Sequence, residues 1–594
     1  VAFKPSYHLK NLAEHTSGVS LTNTNTSPSA FYDHEGVLVE TFPNETVSAG
    51  ARREYNYMGD KQDVTLWTKS GTGATVVDSG DGAYRVTLPA GAGVHDRTTE
   101  TFSIDVLVAA YASVKLVSGS TTGLAFSDPV GGSTGLGFND LQDKITSVYT
   151  VVSDDGRILG AHKVGVWLRN YGTGTIVIDV TKVGIIVVTG RSNKSPPEHL
   201  IDINYGYGVD GVKYYADTNG NSVSGNVVTE AAGTAVSPVP QIQLQPQRTN
   251  SLWPSRDLTH ANWAATNITP LLDAVGVDGK ANAASTLTAT AANGTIFNAI
   301  TIASAGFTNH FQVKRKTGTG VIEFTDDGGT TYTAITGDIN SSTFSEVKLT
   351  RTQANPSIGF RIVTSGDEII VDFAQNEEGT QPTTPIETTT VAVTRSADKL
   401  DISDFSTWFN ADNGVVIFGF TPDDDWTNSG AAEYLYDGAS AKLAYMTAGA
   451  DGLYSTDGTT TSSSVNNNTA GDEVIASIIY DKTNNYLCVG YSQDTMTTMD
   501  WDGTPATFDG FTAAATLVLM NTLSERSTIR SLAMYSGMPP STSDISTVQA
   551  WVGDNAVDIM NDPSMSFGAG FGLTALTKVA LTKVALTKVE LEQV

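Results

Sequence analysis

Thiol chemistry is nearly missing from this sequence. Cys488 is its one cysteine, so no disulfide can form within the chain and no cysteine-based metal site can be built. Cys488 sits in the strand-like run Tyr486-Leu487-Cys488-Val489 and reads as a buried, inert thiol. No stretch of about 18 apolar residues occurs, which excludes a membrane-spanning helix of ordinary length. The first residues, Val1-Ala2-Phe3-Lys4, lack the apolar core of a secretion signal. A β-rich chain with neither signal nor disulfides is expected to assemble in a reducing cytoplasm. Cations are scarce too: 35 Lys and Arg stand against 63 Asp and Glu, a net charge of −28. That balance argues against nucleic acid or an anionic membrane surface as a partner, because both need clustered Lys and Arg. The 8 histidines are scattered without a His-x-x-x-His spacing, so a zinc centre has no support. Segments with a helical hydrophobic period are few.

What is present points to strands and turns. The chain has 57 glycines and 40% hydrophobic residues, enough for real cores. Its 594 residues predict three or four domains, at about 100–200 residues each. Ile369-Ile370-Val371-Asp372-Phe373 reads as the closing strand of a β-sandwich, followed by a loop with Pro382 and Pro385. A similar run, Ile176-Val177-Ile178-Asp179-Val180, occurs upstream with its own loop at Pro196-Pro197. Other matches keep the same order. Tyr32-Asp33-His34-Glu35-Gly36 is echoed by Tyr215-Ala216-Asp217-Thr218-Asn219-Gly220, Arg53 to Asn56 by Arg248-Thr249-Asn250, and Trp67 by Trp263. One sandwich is therefore expected twice, with its linkers.

The resulting division is linear. Residues 1–58 form a leader, 59–200 a first sandwich, 201–250 an extended connector limited by Pro238, Pro240 and Pro246, and 251–395 a second sandwich. Alternation at Phe102, Ile104, Val106 and Val108, and at Val164, Val166 and Leu168, supports the first. Asn139 to Ser147 reads as one or two helical turns. Phe311 to Arg315, Val321 to Phe324 and the turn Asp326-Asp327-Gly328-Gly329 support the second. Residues 396–558 form a third unit. It holds the apolar strand Val415 to Phe420, the strand Ile529 to Tyr535, and a helix that Ser541-Thr542-Ser543-Asp544 can start and that reaches Trp551. Residues 559–594 form a tail in which Ala575-Leu576-Thr577-Lys578-Val579 repeats with a period of five. That period fits neither a helix face nor a strand face, so the tail either packs against sister chains or moves freely.

Candidate chemistry is thin. Gly131-Gly132-Ser133-Thr134-Gly135 matches a hydrolase nucleophile elbow, but Asp128-Pro129 breaks the strand which that elbow requires. The third unit lacks the alternating carboxylates that would flank a scissile glycosidic bond. Asp217, Asn219 and Asn221 have the alternate spacing of calcium ligands. Ser222 stands where such a loop needs Gly, however, and turn chemistry explains the cluster, as it does Asp423-Asp424-Asp425. No cofactor is expected. Sugar binding uses aromatic faces beside hydroxyl acceptors. Trp426 with Asp424 and Asp425, then Tyr434, Tyr436, Tyr454 and Trp501, are the candidates for such a surface; Trp408 reads as core. Trp426 and Trp501 both lie in polar, Asp-rich segments, where binding loops gather.

The run from Arg248-Thr249-Asn250 through Trp263, Phe311 to Arg315, Gly366-Asp367-Glu368, Gln375 to Gly379 and Thr394 to Asp398 resembles structural proteins of tailed bacteriophages. These are tail-fibre and related surface proteins with carbohydrate-binding-module-like jelly rolls. Val415 to Phe420 and Ile529 to Trp551 resemble the concanavalin A-like, laminin-G-like sandwich that often follows them. The likeness covers residues 250–555 well and 30–200 loosely; the five-residue tail repeat lies outside it. It implies an all-β chain of two similar jelly rolls followed by a concanavalin A-like sandwich. It also implies a homotrimer on the virion surface, fixed to other virion proteins through the N-terminal segment and facing a host-cell glycan without catalysis. A head fibre or a capsid or tail decoration with a purely structural role is the alternative, and a glycan-cleaving depolymerase a third reading.

Overall fold

A computed structural model describes residues 2–3, 7–10, 14–15, 21–23, 26–32, 37–41, 47–49, 52–55, 57–58, 63–79, 83–97, 108–120, 124–127, 136–137, 146–152, 165–187, 212–215, 241–422, 432–436, 442–446, 452–464, 472–493, 499–501, 505–511, 516–522, 526–537, 544–561 and 567–568. The chain is all-β, built of antiparallel sheets. Two α-helices occur among the described residues, Phe405–Trp408 and Ile545–Asn561.

Alternation builds the first two units. In Gly165–Asn170, Val166 and Leu168 are buried, and in Ile176–Val187, so are Ile176, Ile178 and Val180. They meet Val86, Val94 and Val114 from neighbouring strands in one core between two five-stranded sheets. The second unit repeats this around Phe311, whose ring centroid lies 4.7 Å from that of Phe360 and 5.3 Å from that of Phe324.

The two units share their topology strand for strand. Number ten strands in chain order, from Thr68–Ser70 to Ile176–Val187 in the first and from Trp263–Thr266 to Glu368–Glu378 in the second. One sheet then runs 2-3-10-5-8 and the other 7-6-9-4-1, in both. The runs Ile176 to Val180 and Ile369 to Phe373 fall on the equivalent tenth strand. Trp67 and Trp263 are both buried at the start of the first. The linkers are duplicated as well. Arg52–Tyr55 precedes the first unit and pairs with Val212–Tyr215, which follows it. Arg248–Asn250 and Val393–Arg395 do the same for the second. Each sandwich thus leaves and returns through a two-stranded neck. The neck is tied to strand ten by Tyr57 N–H to Ile185 O at 2.8 Å in one unit and Ser251 N–H to Asn376 O at 2.9 Å in the other.

The third unit differs from the linear division. Its nine-stranded sheet includes Tyr7–Lys10, Glu14–His15, Val47–Ala49 and Gln241–Leu244 beside Asn413–Pro422, Val474–Asp481, Tyr486–Gln493 and Ser527–Ser536. Its seven-stranded sheet includes Leu21–Asn23. Ala2–Phe3 pairs with Phe567–Gly568. The expected leader and connector therefore supply strands to the third unit, and both sandwiches are insertions into it. Short strands such as Tyr7–Lys10 carry no local mark of a partner more than 500 residues away, so a reading of neighbours along the chain misses them.

Three layers make this unit. Val416, Phe418 and Phe420 face the core between the sheets, while Val415 and Ile417 face Val548, Val552 and Ala556 of the long helix. A strand covered on both sides has to be apolar throughout, which is why Val415 to Phe420 lacks alternation. Asp544 caps the helix through Ser546 N–H at 3.3 Å, and the helix continues ten residues past Trp551. Cys488 is buried beneath it and accepts from Gln549 Nε2 at 3.0 Å. Thr146 and Ser147 belong to a strand. The rest of the expected short helix, the Gly131–Gly135 elbow and the repeat from 575 lie outside the described residues.

Deleting residues 1–23 is expected to abolish the cooperative unfolding of the third unit and its near-ultraviolet dichroism, because Tyr7–Lys10 and Leu21–Asn23 each complete a sheet. A truncated chain with an unchanged signal would contradict this fold.

Candidate functional site

Among the described residues, the face of the seven-stranded sheet and the neck of the second sandwich are two of the places that concentrate polar or aromatic side chains. On the sheet, Tyr445 of Lys442–Met446 lies directly opposite Tyr454 of Leu453–Thr456. Leu443, Ala444 and Leu453 point into the core, so the half-buried tyrosines lie on the other face. Their ring centroids are 5.6 Å apart with planes at 35°, and Lys442 Nζ stands 5.1 Å from the Tyr445 centroid. Two adjacent phenol rings with a nearby ammonium can stack on a sugar ring and donate to its hydroxyls.

The platform is held by the turn beside it. Asp457 Oδ1 accepts from the Thr459 and Thr460 amides, both at 2.8 Å, and its Oδ2 from the Asp509 amide at 2.9 Å. Burial acts to raise the Asp457 pKa. The amides of Asp509, Thr460 and Thr459 outweigh burial and hold it below the usual carboxylate range.

The residues expected from the sequence do not form one surface. Tyr434 and Tyr436 belong to Ala432–Tyr436, which pairs with Lys442–Met446 beside the platform; their side chains lie outside the described residues. Trp426, Asp424 and Asp425 lie outside them too, as do the calcium candidates Asp217, Asn219 and Asn221. Trp501 is not in a loop. It sits on the short strand Asp500–Trp501, lies flat against Gly490, and packs with Met499 and Trp551 on the helix side of the nine-stranded sheet, away from the tyrosines. Gly490 has no side chain to keep the indole off the sheet, which draws Trp501 into packing. Trp408 packs on the core between the sheets. Tyr445 was the residue missed; the signal was its place in a strand facing Tyr454.

The neck is polar and buried. A bulge at Phe373, which adopts φ +44°, shifts the ladder between Gln312–Asp372 and His310–Gln375. It lays Phe373 over Arg256, whose Cζ is 4.2 Å from the ring centroid, and against Ala30 and Leu38 of the N-terminal hairpin, in which Ala30–Tyr32 pairs with Leu38–Glu40. Arg256 is saturated. Its Nε and Nη2 reach both oxygens of Asp372 at 2.8 and 3.0 Å, and its Nη1 and Nη2 both oxygens of Asp278 at 2.8 and 2.9 Å. A Cβ at Gly276 would overlap this guanidinium. Burial acts to raise the Asp278 pKa, but Arg256 outweighs it and holds the carboxyl low. Nearby, His310 Nε2 lies 3.4 Å from Glu377 Oε1, with both residues fully buried. Asn250 ties the neck to the sandwich, donating to Ala374 O at 3.0 Å and Ile386 O at 2.9 Å. Gln245 joins the units: its Nε2 donates to Ser29 Oγ at 3.0 Å, and its Oε1 accepts from the Thr384 amide at 2.9 Å.

No protein-family model matches the sequence, and no curated protein matches it either.

Two outcomes are expected. Replacing Arg256 with Met leaves Asp278 and Asp372 buried without their cation and costs about 3–5 kcal/mol, read from urea unfolding; a loss near zero would mean that the cluster is solvated. For Asp457, a folded pKa below the unfolded one gives stability that is fully present above about pH 4 and lost as pH falls through the folded value. Asp457→Asn should therefore lower stability at pH 7 by about 1–3 kcal/mol and flatten its fall below pH 4. An unchanged acid limb would exclude this role for Asp457.

Proposed function

We propose that this chain is a virion surface protein of a tailed bacteriophage, a tail fibre or spike that attaches the particle to host-surface glycan and makes and breaks no bonds. The observation that carries the reading is the duplication: one sandwich occurs twice, each on its own neck, on a common base. Repeated modules of this kind multiply contact surfaces. The interleaved order 3-10-5-8 over 7-6-9-4 supports a jelly roll for both copies, and the two large sheets under the long helix support a concanavalin A-like base. The Tyr445–Tyr454 platform is the glycan contact in this proposal. Attachment to other virion proteins, expected through the N-terminal segment, passes through the base into which that segment is woven. The assembly is a homotrimer, so sedimentation should give three times the 62.6 kDa chain mass; a monomer would count against a fibre.

A second reading, a head fibre or decoration protein that braces the particle, is favoured by the locked neck around Arg256 and Gln245. One experiment separates the two. The purified protein is applied to an array of immobilised bacterial surface polysaccharides, beside a Tyr445→Ala/Tyr454→Ala variant. The attachment reading expects retention on at least one polysaccharide, with unchanged chain length of that polysaccharide and about tenfold weaker retention of the variant. No retention at all, together with normal adsorption of virions carrying the variant, would replace it with the bracing reading.

A further inference from the structure

Two arginines face each other where the neck of the second sandwich joins the third unit, and a third lies within electrostatic reach of one of them. Arg395 lies directly opposite Arg248 in the neck ribbon, which puts both side chains on one face of it. Arg526, just ahead of Ser527–Ser536, adds a third positive charge to the surroundings of Arg395. Arg395 is 3% exposed. Its Nη1 donates to the carbonyl oxygen and Oγ1 of Thr384, both at 3.0 Å. Its Nε and Nη2 have no hydrogen-bond partner.

Those two nitrogens form the side edge of the guanidinium. Arg256 uses the same edge to hold both oxygens of Asp372. In Arg395 the edge that fits a pair of oxygens is buried and without a hydrogen-bond partner. The acids nearby are occupied elsewhere. Asp398 Oδ2 accepts from the Gln245 amide at 2.9 Å, and the Glu377 oxygens accept from the amide and Oγ1 of Thr383. Burial pushes the Arg395 pKa down; Asp398 and Glu377 oppose that, while Arg248 and Arg526 add to it. A buried guanidinium keeps its charge and requires acceptors for its N–H groups.

We propose that Arg395 holds a small inorganic oxyanion, such as sulfate or phosphate, in the neck between the second sandwich and the third unit. Its Nε and Nη2 donate to two oxygens of the anion, and Arg248 and Arg526 add charge. The anion is enclosed as the sandwich closes on its base, and it pins the angle between them. This site is independent of the glycan platform.

Crystals of the unmodified protein grown with selenate, and thermal unfolding in sulfate, phosphate or chloride at constant ionic strength, test the proposal. The expected result is a selenium anomalous peak within hydrogen-bonding distance of Arg395 Nε and Nη2. Unfolding temperature should also rise with the logarithm of sulfate or phosphate concentration but not of chloride, and Arg395→Gln should lose that rise. No selenium at Arg395, a rise of equal size in chloride, or an undiminished rise in Arg395→Gln would each overturn it. If Arg395→Gln fails to fold, the selenate map of the unmodified protein decides alone.

Discussion

Strand Gln241–Leu244 bonds along one edge to Val47–Ala49 and along the other to Ser527–Ser536, and its Ile242 and Leu244 are buried in the largest core. It comes after the first sandwich and before the second, so fixing it in the third unit fixes where both begin or end. With Val47–Ala49 at its side, the chain that leaves for the first sandwich starts beside the chain that comes back. The neck Arg52–Tyr55 with Val212–Tyr215 is a separate two-stranded sheet, reached on the outgoing side two residues after Gly50. The price of the arrangement is loop-closure entropy over nearly 200 residues, which grows only slowly with length and is offset by burial of Ile242 and Leu244.

Where the second sandwich meets this base, a small apolar cluster of Phe373 with Ala30 and Leu38 is joined by buried polar contacts. Gln245 bridges Ser29 and Thr384, and Ser396 N–H donates to Ser27 Oγ at 2.7 Å. Apolar contact alone tolerates many orientations, whereas a buried network in which each group needs its own partner tolerates few. The strained backbone at Phe373 fits that picture, since its bulge delivers one ring both to Arg256 and to the N-terminal hairpin.

Much of the local structure was legible in the sequence. Alternation at Ile176, Ile178 and Val180 marked a strand with one buried face; unbroken apolarity from Val415 to Phe420 marked one with two. Ser541 to Asp544 marked a helix start, which Asp544 caps, and the shared order of Trp67 and Trp263 marked a duplication that the strand order matches. What could not be read was pairing at a distance. Arg248-Thr249-Asn250 and Thr394-Arg395 stood out as linker and handover, yet nothing in either says that they bond to each other. Arg256 and Asp372 are 116 residues apart and carry no spacing signature. Trp501 looked like a loop residue because Asp500 and Asp502 flank it; the absent side chain of Gly490, which accepts its ring, is visible only once the strands pair.

The central claim is that the two sandwiches are insertions into a unit assembled from three separated parts of the chain. An engineered cysteine pair tests it most directly. Gln243 and Thr528 are ladder partners across the junction between the middle and the end of the chain, and the native Cys488 is buried away from both. With Gln243→Cys and Thr528→Cys, mild oxidation should close a disulfide within one chain in the folded protein, and the cross-link should be lost when oxidation is done in denaturant. Two thiols that stay free in the folded protein would show that the middle of the chain is a connector after all.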